Sequence, residues 1–432
     1  MTEIHEKSST CSVNYKSWQA KKIFLETVDY ITKPKRLSDA AHRLEGQKMF
    51  QILAKAKELE RQGKEILHFE LGDPDFDTPP NIVQSALESL KKGETHYVPS
   101  SGLLELREAA ADVTERSRKF RPDIDQLLVC PGANVMIYYA AACAVNPGEE
   151  VIVPDPGFAS YYSILKYMGI KIVRVPLYEE NEFRLAPDDV QKAITDKTRM
   201  VIMNSPSNPT GAVMTEDEVK RMYEIAEKYD VYLVSDEIYA RMVYKEANTN
   251  HHSPSKFDHC KERTIIINGF SKSYAMTGWR LGVATGPSEL ISKMGLLLET
   301  TTSCVSPFIQ RAGIEALKGG QEPIQKMIDE YRKRRDIILE GLNSLPGVSC
   351  LKPKGAFYVF PNIKGTGLTS EEYADLMLEK AGVALAPGPI FGEYARGYVR
   401  LCYANSISNI DKAIERMRAV LEKSYFSAPS IL

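Results

Sequence analysis

Lys272 sits in the run Gly269-Phe270-Ser271-Lys272-Ser273-Tyr274-Ala275-Met276-Thr277-Gly278-Trp279-Arg280-Leu281-Gly282. A lysine amine whose pKa is depressed can form a Schiff base with an aldehyde, and an arginine eight residues on can hold a phosphate. The small residues around them let the backbone pass close to a flat ring. Together they point to a phosphorylated aldehyde cofactor carried by Lys272. A lone lysine after a strand is ordinarily a surface lysine, and it is the company of this one that argues for chemistry.

Such a lysine needs a rigid frame. Apolar runs bounded by turn residues occur at 127–130, 151–153, 172–175, 200–203, 231–234, 264–267 and 281–284, with helical stretches between several of them, notably 158–168 and 216–228. This alternation predicts an α/β fold with a largely parallel sheet covered by helices, whose ligands lie at the strand ends. Upstream, Met49, Ile52, Leu53, Ala56 and Leu59 recur at helical spacing over 46–62, and Gly63 is a stop signal. A short strand at 66–71 then enters a proline-rich turn at 72–80. After 320 the pattern changes to a long charged helix at 322–345, strands near 348–351 and 356–360, a helix at 370–380, a strand at 398–403 and a helix at 410–423. The expected division is an arm over 1–36, a smaller α+β domain from 37–80 and 320–432, and a large domain over 81–319.

Composition narrows the partners. Lys+Arg of 55 against Asp+Glu of 57 leave a net charge of -2, so no global field favours nucleic acid or an anionic membrane. Two basic runs, 116–121 (Arg-Ser-Arg-Lys-Phe-Arg) and 332–335 (Arg-Lys-Arg-Arg), are each followed by an acid, Asp123 or Asp336, and read as solvated faces. The seven cysteines are scattered without a CxxC pair, which suits a reducing compartment. No apolar run approaches the roughly 20 residues of a membrane span. Residues 1–19 carry acids and polar groups where an export signal has its apolar core. The expected location is the cytoplasm, with no nucleic acid and no membrane partner. His5-Glu6 lacks the second histidine of a zinc helix and His251-His252 reads as a polar loop, so no metal site is expected.

Asn204-Ser205-Pro206-Ser207-Asn208-Pro209-Thr210-Gly211 closes one strand, and Val234-Ser235-Asp236-Glu237-Ile238-Tyr239 closes the next. With Lys272 these resemble the class I/II, aspartate aminotransferase-like enzymes dependent on pyridoxal 5'-phosphate (PLP), of PLP fold type I. Four further segments agree in order and spacing: Gly72-Asp73-Pro74-Asp75-Phe76, Tyr97-Val98-Pro99-Ser100-Ser101-Gly102, Pro154-Asp155-Pro156-Gly157-Phe158 and Tyr398-Val399-Arg400-Leu401. The resemblance covers 37–425, and it implies a mostly parallel seven-stranded sheet covered by helices in the large domain.

The resemblance also implies roles. Asp236 salt-bridges the pyridine nitrogen, so that the ring can absorb electrons from the substrate Cα. Asn208 and Tyr239 reach the phenolic oxygen, and Phe158 lies on the ring. Gly132, Ala133 and Asn134, opening a helix, supply backbone donors to the phosphate, with Arg280 as the cation and Ser271 as a hydroxyl. Tyr97 reaches the phosphate of a neighbouring subunit, which implies a homodimer with shared active sites. Arg400 grips the substrate α-carboxylate in a bidentate pair, near the Gly72 backbone and Asn208. Lys272 is both the Schiff-base former and the general base of a ping-pong aldimine/ketimine exchange between an amino acid and a 2-oxo acid. The Asp155-Pro156 and Asn208-Pro209 bonds are candidates for cis geometry.

Two positions depart from the family pattern: Gly269 stands where relatives often carry serine, and Ala133 lacks a hydroxyl that some relatives have. The stretch 300–307 holds no arginine of the kind dicarboxylate-specific relatives take from a partner subunit. The same motifs also fit another fold type I reaction, such as β-elimination, cyclopropane formation or oxidation. A non-catalytic regulator on this fold predicts loss of Lys272 or Asp236, and both are present.

Overall fold

The computed structural model describes residues 37–46, 48–245 and 250–427, so the arm expected over 1–36 lies outside them. A short helix, Asp39–His42, is capped by Ser38, whose Oγ accepts from Ala41 N at 3.1 Å. It belongs to a unit of its own, and everything below lies in the second unit, which begins at Glu45.

In chain order the strands are β1 (Leu67–His68), β2 (Leu127–Cys130), β3 (Glu150–Asp155), β4 (Lys171–Pro176), β5 (Thr198–Asn204), β6 (Tyr232–Asp236), β7 (Thr264–Gly269), β8 (Gly282–Thr285), β9 (Tyr358–Val359), β10 (Val383–Ala384), β11 (Ala386–Pro387) and β12 (Val399–Cys402). Strands β2 to β8 form one seven-stranded sheet in the order β2-β8-β7-β6-β5-β3-β4. β8 is antiparallel to both its neighbours, and the other pairs are parallel. This is the mostly parallel frame expected, and the seven apolar runs are its strands.

Alternate residues of the central strands go to opposite faces. Val151, Val153, Ile202 and Val234 join one core cluster, whereas Ile152, Val201, Met203 and Leu233 join another. Both sets are apolar because helices cover both faces, which is why these strands read as unbroken apolar runs. On one side the helix Ala133–Ala144 packs Ile137, Ala140 and Ala141 into the first cluster. On the other, the helix Glu216–Lys228 brings Val219, Met222, Tyr223 and Ala226 at three- and four-residue spacing. Its start is a capping box: Glu218 N donates to Thr215 Oγ1 at 3.3 Å, and Thr215 N donates to Glu218 Oε2 at 2.8 Å.

The remaining strands build two small sheets. β1 pairs in parallel with β10, and β11-β12-β9 form an antiparallel trio that sets Ala386 opposite Arg400 and Leu401 opposite Val359. β10 and β11 are two residues each and carry no periodicity to read. The expected strand at 348–351 reduces to a single bridge, Ser349 to Asn362. A helix at 370–380 forms as Ser370–Leu376 and widens to π turns over Met377–Ala381.

The basic runs are not simple solvated faces. Arg118 is an ion-pair partner of the fully buried Glu237, the residue after Asp236. Arg334 donates to both oxygens of Asp75 at 2.8 and 2.7 Å, and Arg335 is fully buried, 4.5 Å from the Tyr244 ring centre and paired with Asp336 at 2.8 Å. Arg118 and Arg334 meet acids that are distant in sequence, Glu237 and Asp75, which local charge patterning does not reveal, whereas Arg335 pairs with the adjacent, exposed Asp336. His251 lies in a loop as expected, but its side chain turns inward, with Nε2 3.1 Å from Glu237.

Candidate active site

The parallel register aligns strand ends: Asn204 at the end of β5 lies beside Asp236 at the end of β6, and Asp236 beside Ile267 near the end of β7. The turns leaving these ends carry the polar groups, as the geometry of such sheets requires. Asn204 Nδ2 donates to Asp236 O at 2.9 Å, while Asn204 Oδ1 accepts from Asn208 N at 2.8 Å, which fixes the turn that presents Asn208. The Asp236 carboxylate is buried and accepts from Tyr161 OH at 2.5 Å and Ile238 N at 3.2 Å. Desolvation outweighs these bonds and pushes its pKa up to about 6.

Three residues past β7, Lys272 Nζ donates to Gly72 O at 2.5 Å. Burial lowers its pKa to about 8, helped by Arg400 and Arg280 and opposed by Asp73. Lys272 and Asp236 line one cavity of about 350 Å³. Gly72, Ala133, Asn134, Phe158, Asn208, Tyr239, Ser271, Arg280 and Arg400 line it too. Gly132, at φ 90, caps the helix Ala133–Ala144 beside it, and a Cβ there would run into the Arg280 guanidinium. Only glycine leaves that approach open. Phe158 packs edge-on against Tyr161, with ring centres 5.5 Å apart. Tyr97 is not brought to this cavity and is 87% exposed. Asp155-Pro156 and Asn208-Pro209 are both cis, as is Ser205-Pro206, which was not anticipated.

Arg400, on β12, is 1% exposed. Its Nη2 donates to Glu70 O at 2.5 Å and to Met49 Sδ at 3.4 Å, and its Nη1 donates to Asn208 Oδ1 at 3.1 Å. The rings of Tyr358 and Phe391 lie 4.6 and 4.7 Å from the guanidinium carbon. The planar fork is thereby held in one plane facing the cavity.

This donor set suits a planar, phosphorylated aldehyde. A buried carboxylate with a raised pKa stabilises a cationic ring N–H, an amine near pKa 8 reacts with an aldehyde, and a helix start beside an arginine takes a phosphate. Residues 64–417 match the family Aminotransferase class I and II. The chain belongs to that family.

This aminotransferase is 42% identical over 363 residues to an aspartate aminotransferase of Pyrococcus abyssi, covering 83% of this chain and 92% of that one. It is 41% identical over 361 residues to aromatic-amino-acid aminotransferase 2 of Thermococcus litoralis, with the same coverage of 83% and 92%. Among solved structures, an aspartate aminotransferase from Rhizobium meliloti superposes with a TM-score of 0.86 at 33% identity, covering 90% of this chain and 99% of that one.

Several side chains of the aminotransferase site escaped the sequence reading. Tyr161 touches Asp236, and its signal was its place three residues after Phe158, in the first turn of the helix Ala159–Tyr167. Tyr358 puts its hydroxyl 2.7 Å from that of Tyr239 and its ring against Arg400. Met49, Phe50 and Leu71 add an apolar wall to the cavity. Nothing local distinguishes these from core residues.

Proposed function

We propose that this aminotransferase holds pyridoxal 5'-phosphate at Lys272 and uses it to exchange amino groups between an L-amino acid and a 2-oxo acid. When bound, the cofactor supplies an aldehyde for the incoming amine and a ring that draws electrons from the substrate Cα. Asp236 would face the ring nitrogen, because a desolvated carboxylate gains most from a cationic N–H partner. Arg280, the amides opening the helix at Gly132, Ala133 and Asn134, and Ser271 would take the phosphate. Asn208 and Tyr239 would reach the phenolic oxygen, and Phe158 would cover the ring. Arg400 would take the α-carboxylate in exchange for Asn208 and Met49, beside the Gly72 backbone, and so orient the Cα bond toward Lys272. With a pKa near 8, the Lys272 amine is unprotonated often enough at neutral pH to accept the Cα proton.

The observation that carries this reading is the meeting of Lys272, Asp236 and Arg400 in one cavity. A single turnover with L-glutamate tests it. The expected outcome is loss of the bound-aldehyde absorbance with release of one equivalent of 2-oxoglutarate, and an unchanged spectrum overturns the reading. The relatives' names support aspartate or aromatic amino donors, and a donor panel against 2-oxoglutarate distinguishes them.

The exposed Tyr97 supports a homodimer in which this residue serves the neighbouring subunit's phosphate. The unpaired state of the six described cysteines supports a reducing, cytoplasmic setting. No helix among the described residues is long and apolar enough to cross a membrane. Within the second unit, the expected division into a smaller domain (37–80 and 320–432) and a large domain (81–319) is supported from residue 45 on by the grouping of β2 to β8 in one sheet and of the short strands in others, while 37–44 fall in the first unit.

A further inference from the structure

The segment 68–72 links two cations of the site, Lys272 and Arg400, and its carbonyls bind both. His68 O accepts from Asn405 Nδ2 at 2.9 Å, Phe69 O from Cys402 N at 2.9 Å, Glu70 O from Arg400 Nη2 at 2.5 Å and Gly72 O from Lys272 Nζ at 2.5 Å. A displacement of this backbone therefore moves a partner of Arg400 and a partner of Lys272 together.

The segment carries a carboxyl side chain that is 0% exposed, that of Glu70. Its Oε1 lies 2.8 Å from His68 Nδ1, while its Oε2 has no hydrogen-bond partner. The other ring nitrogen, His68 Nε2, lies 3.1 Å from Glu60 Oε1 on the helix Lys48–Arg61, which also carries Met49. Lys57 holds the second oxygen of Glu60 at 2.8 Å. A buried carboxylate with a single polar partner is tolerable only while that partner is charged.

We propose that the His68–Glu70 pair is a positioning device for the site: a protonated His68 binds the buried Glu70 side chain and so holds the 68–72 carbonyls against Lys272 and Arg400. This rests on the roles given to those two residues above. Neither His68 nor Glu70 lines the cavity with its side chain, and both act through the backbone.

The pair makes substrate binding sensitive to pH. Glu70 and Glu60 are the charged groups facing His68, with Lys57 behind Glu60, and Asn405 holds the His68 carbonyl. The two acids raise the His68 pKa above 6.5, Glu70 most, against the lowering effect of burial. The pair's contribution is therefore complete below the ordinary histidine pKa and is lost as pH rises through the raised one.

The test compares H68Q, E70Q and the double variant as holoenzymes, following KM and kcat for L-glutamate and the unfolding midpoint from about pH 6 to 9. Glutamine keeps a donor toward Glu70 but not the charge. Expected for H68Q near neutral pH is a KM raised about tenfold with kcat changed far less, and loss of the wild-type rise of KM at alkaline pH. H68Q/E70Q, with no buried charge left uncompensated, recovers most of that loss, and its unfolding midpoint recovers with it. A double variant worse than H68Q, or an H68Q profile matching wild type, overturns the proposal. Should H68Q fail to fold, E70Q carries the test: its KM should lack the alkaline rise, and a rise of wild-type size overturns the proposal. K272A keeps the two readings apart. Turnover by K272A removes the reaction assignment, whereas an inactive K272A beside a silent H68Q removes only the role of the pair.

Discussion

Two cations of the cavity, Lys272 and Arg400, are held in opposite ways. Lys272 stands in a turn at the end of β7, and Asp236 and Asn208 stand in or beside the turns of the adjoining strands β6 and β5, all in one register. Arg400 lies on the four-residue β12, and its partners Glu70 and Met49 are 330 and 351 residues away in the chain. The first half is built by a repeating frame whose strand ends fall side by side. The second depends on strands of two to four residues and on backbone carbonyls, so it is made only when remote segments close on one another. The cofactor half should thus govern chemistry, and the carboxylate half should govern binding.

The sharpest break of this division is K272A, for which kcat should fall on the order of 10⁴-fold while a non-reactive dicarboxylate still binds. Rapid-mixing kinetics and an equilibrium titration check both parts, and loss of binding together with turnover would show the halves to be inseparable. R400K should do the converse. It replaces a planar fork by a point charge, so KM for both amino donor and oxo acid rises about 10- to 100-fold with a smaller change in kcat. Steady-state kinetics with two donors would reveal a dominant kcat effect, contrary to the division.

Y161F probes the cofactor half alone. Without the 2.5 Å bond from Tyr161, which lowers the Asp236 pKa, the carboxylate is held ionised less firmly, so the acid limb of kcat/KM moves to higher pH and turnover at neutral pH falls roughly three- to tenfold. The smallest effect is on stability. In the cofactor-free protein the Lys272 pKa is depressed to about 8, so the unfolded chain binds more protons than the folded one between about 8 and the ordinary lysine value, and stability rises with pH there. K272M should raise the unfolding midpoint near pH 7, by about 1–3 kcal/mol in stability, and the advantage should shrink as pH climbs past 8. Calorimetry across that range reads it.

The legible parts were those where local pattern and tertiary role coincide. The seven apolar runs became the seven strands because a sheet covered on both faces buries apolar side chains on both sides of its central strands. The helix Glu216–Lys228 formed at its expected bounds because the capping box and the apolar spacing agree. Where burial was imposed from afar, the local signal misled. The runs at 116–121 and 332–335 looked solvated, yet Arg118 and Arg334 meet the remote acids Glu237 and Asp75, and Arg335 is buried against the Tyr244 ring. β10 and β11 had no signal, since two residues cannot display a period.

By itself, then, the sequence determined the kind of protein and the identities at the strand ends: Lys272 with Arg280, Asp236 with Tyr239, Asn208 in its proline turn, and Arg400 in its late strand. A turn following a strand carries its residue types and their spacing in a contiguous run. The tertiary structure alone decided what each of these touches. It put Tyr161 under Asp236, Tyr358 and Phe391 against Arg400, and the 68–72 carbonyls against both Lys272 and Arg400. It also decided the pKa values, because desolvation comes from neighbours packed in three dimensions and not from neighbours in the chain.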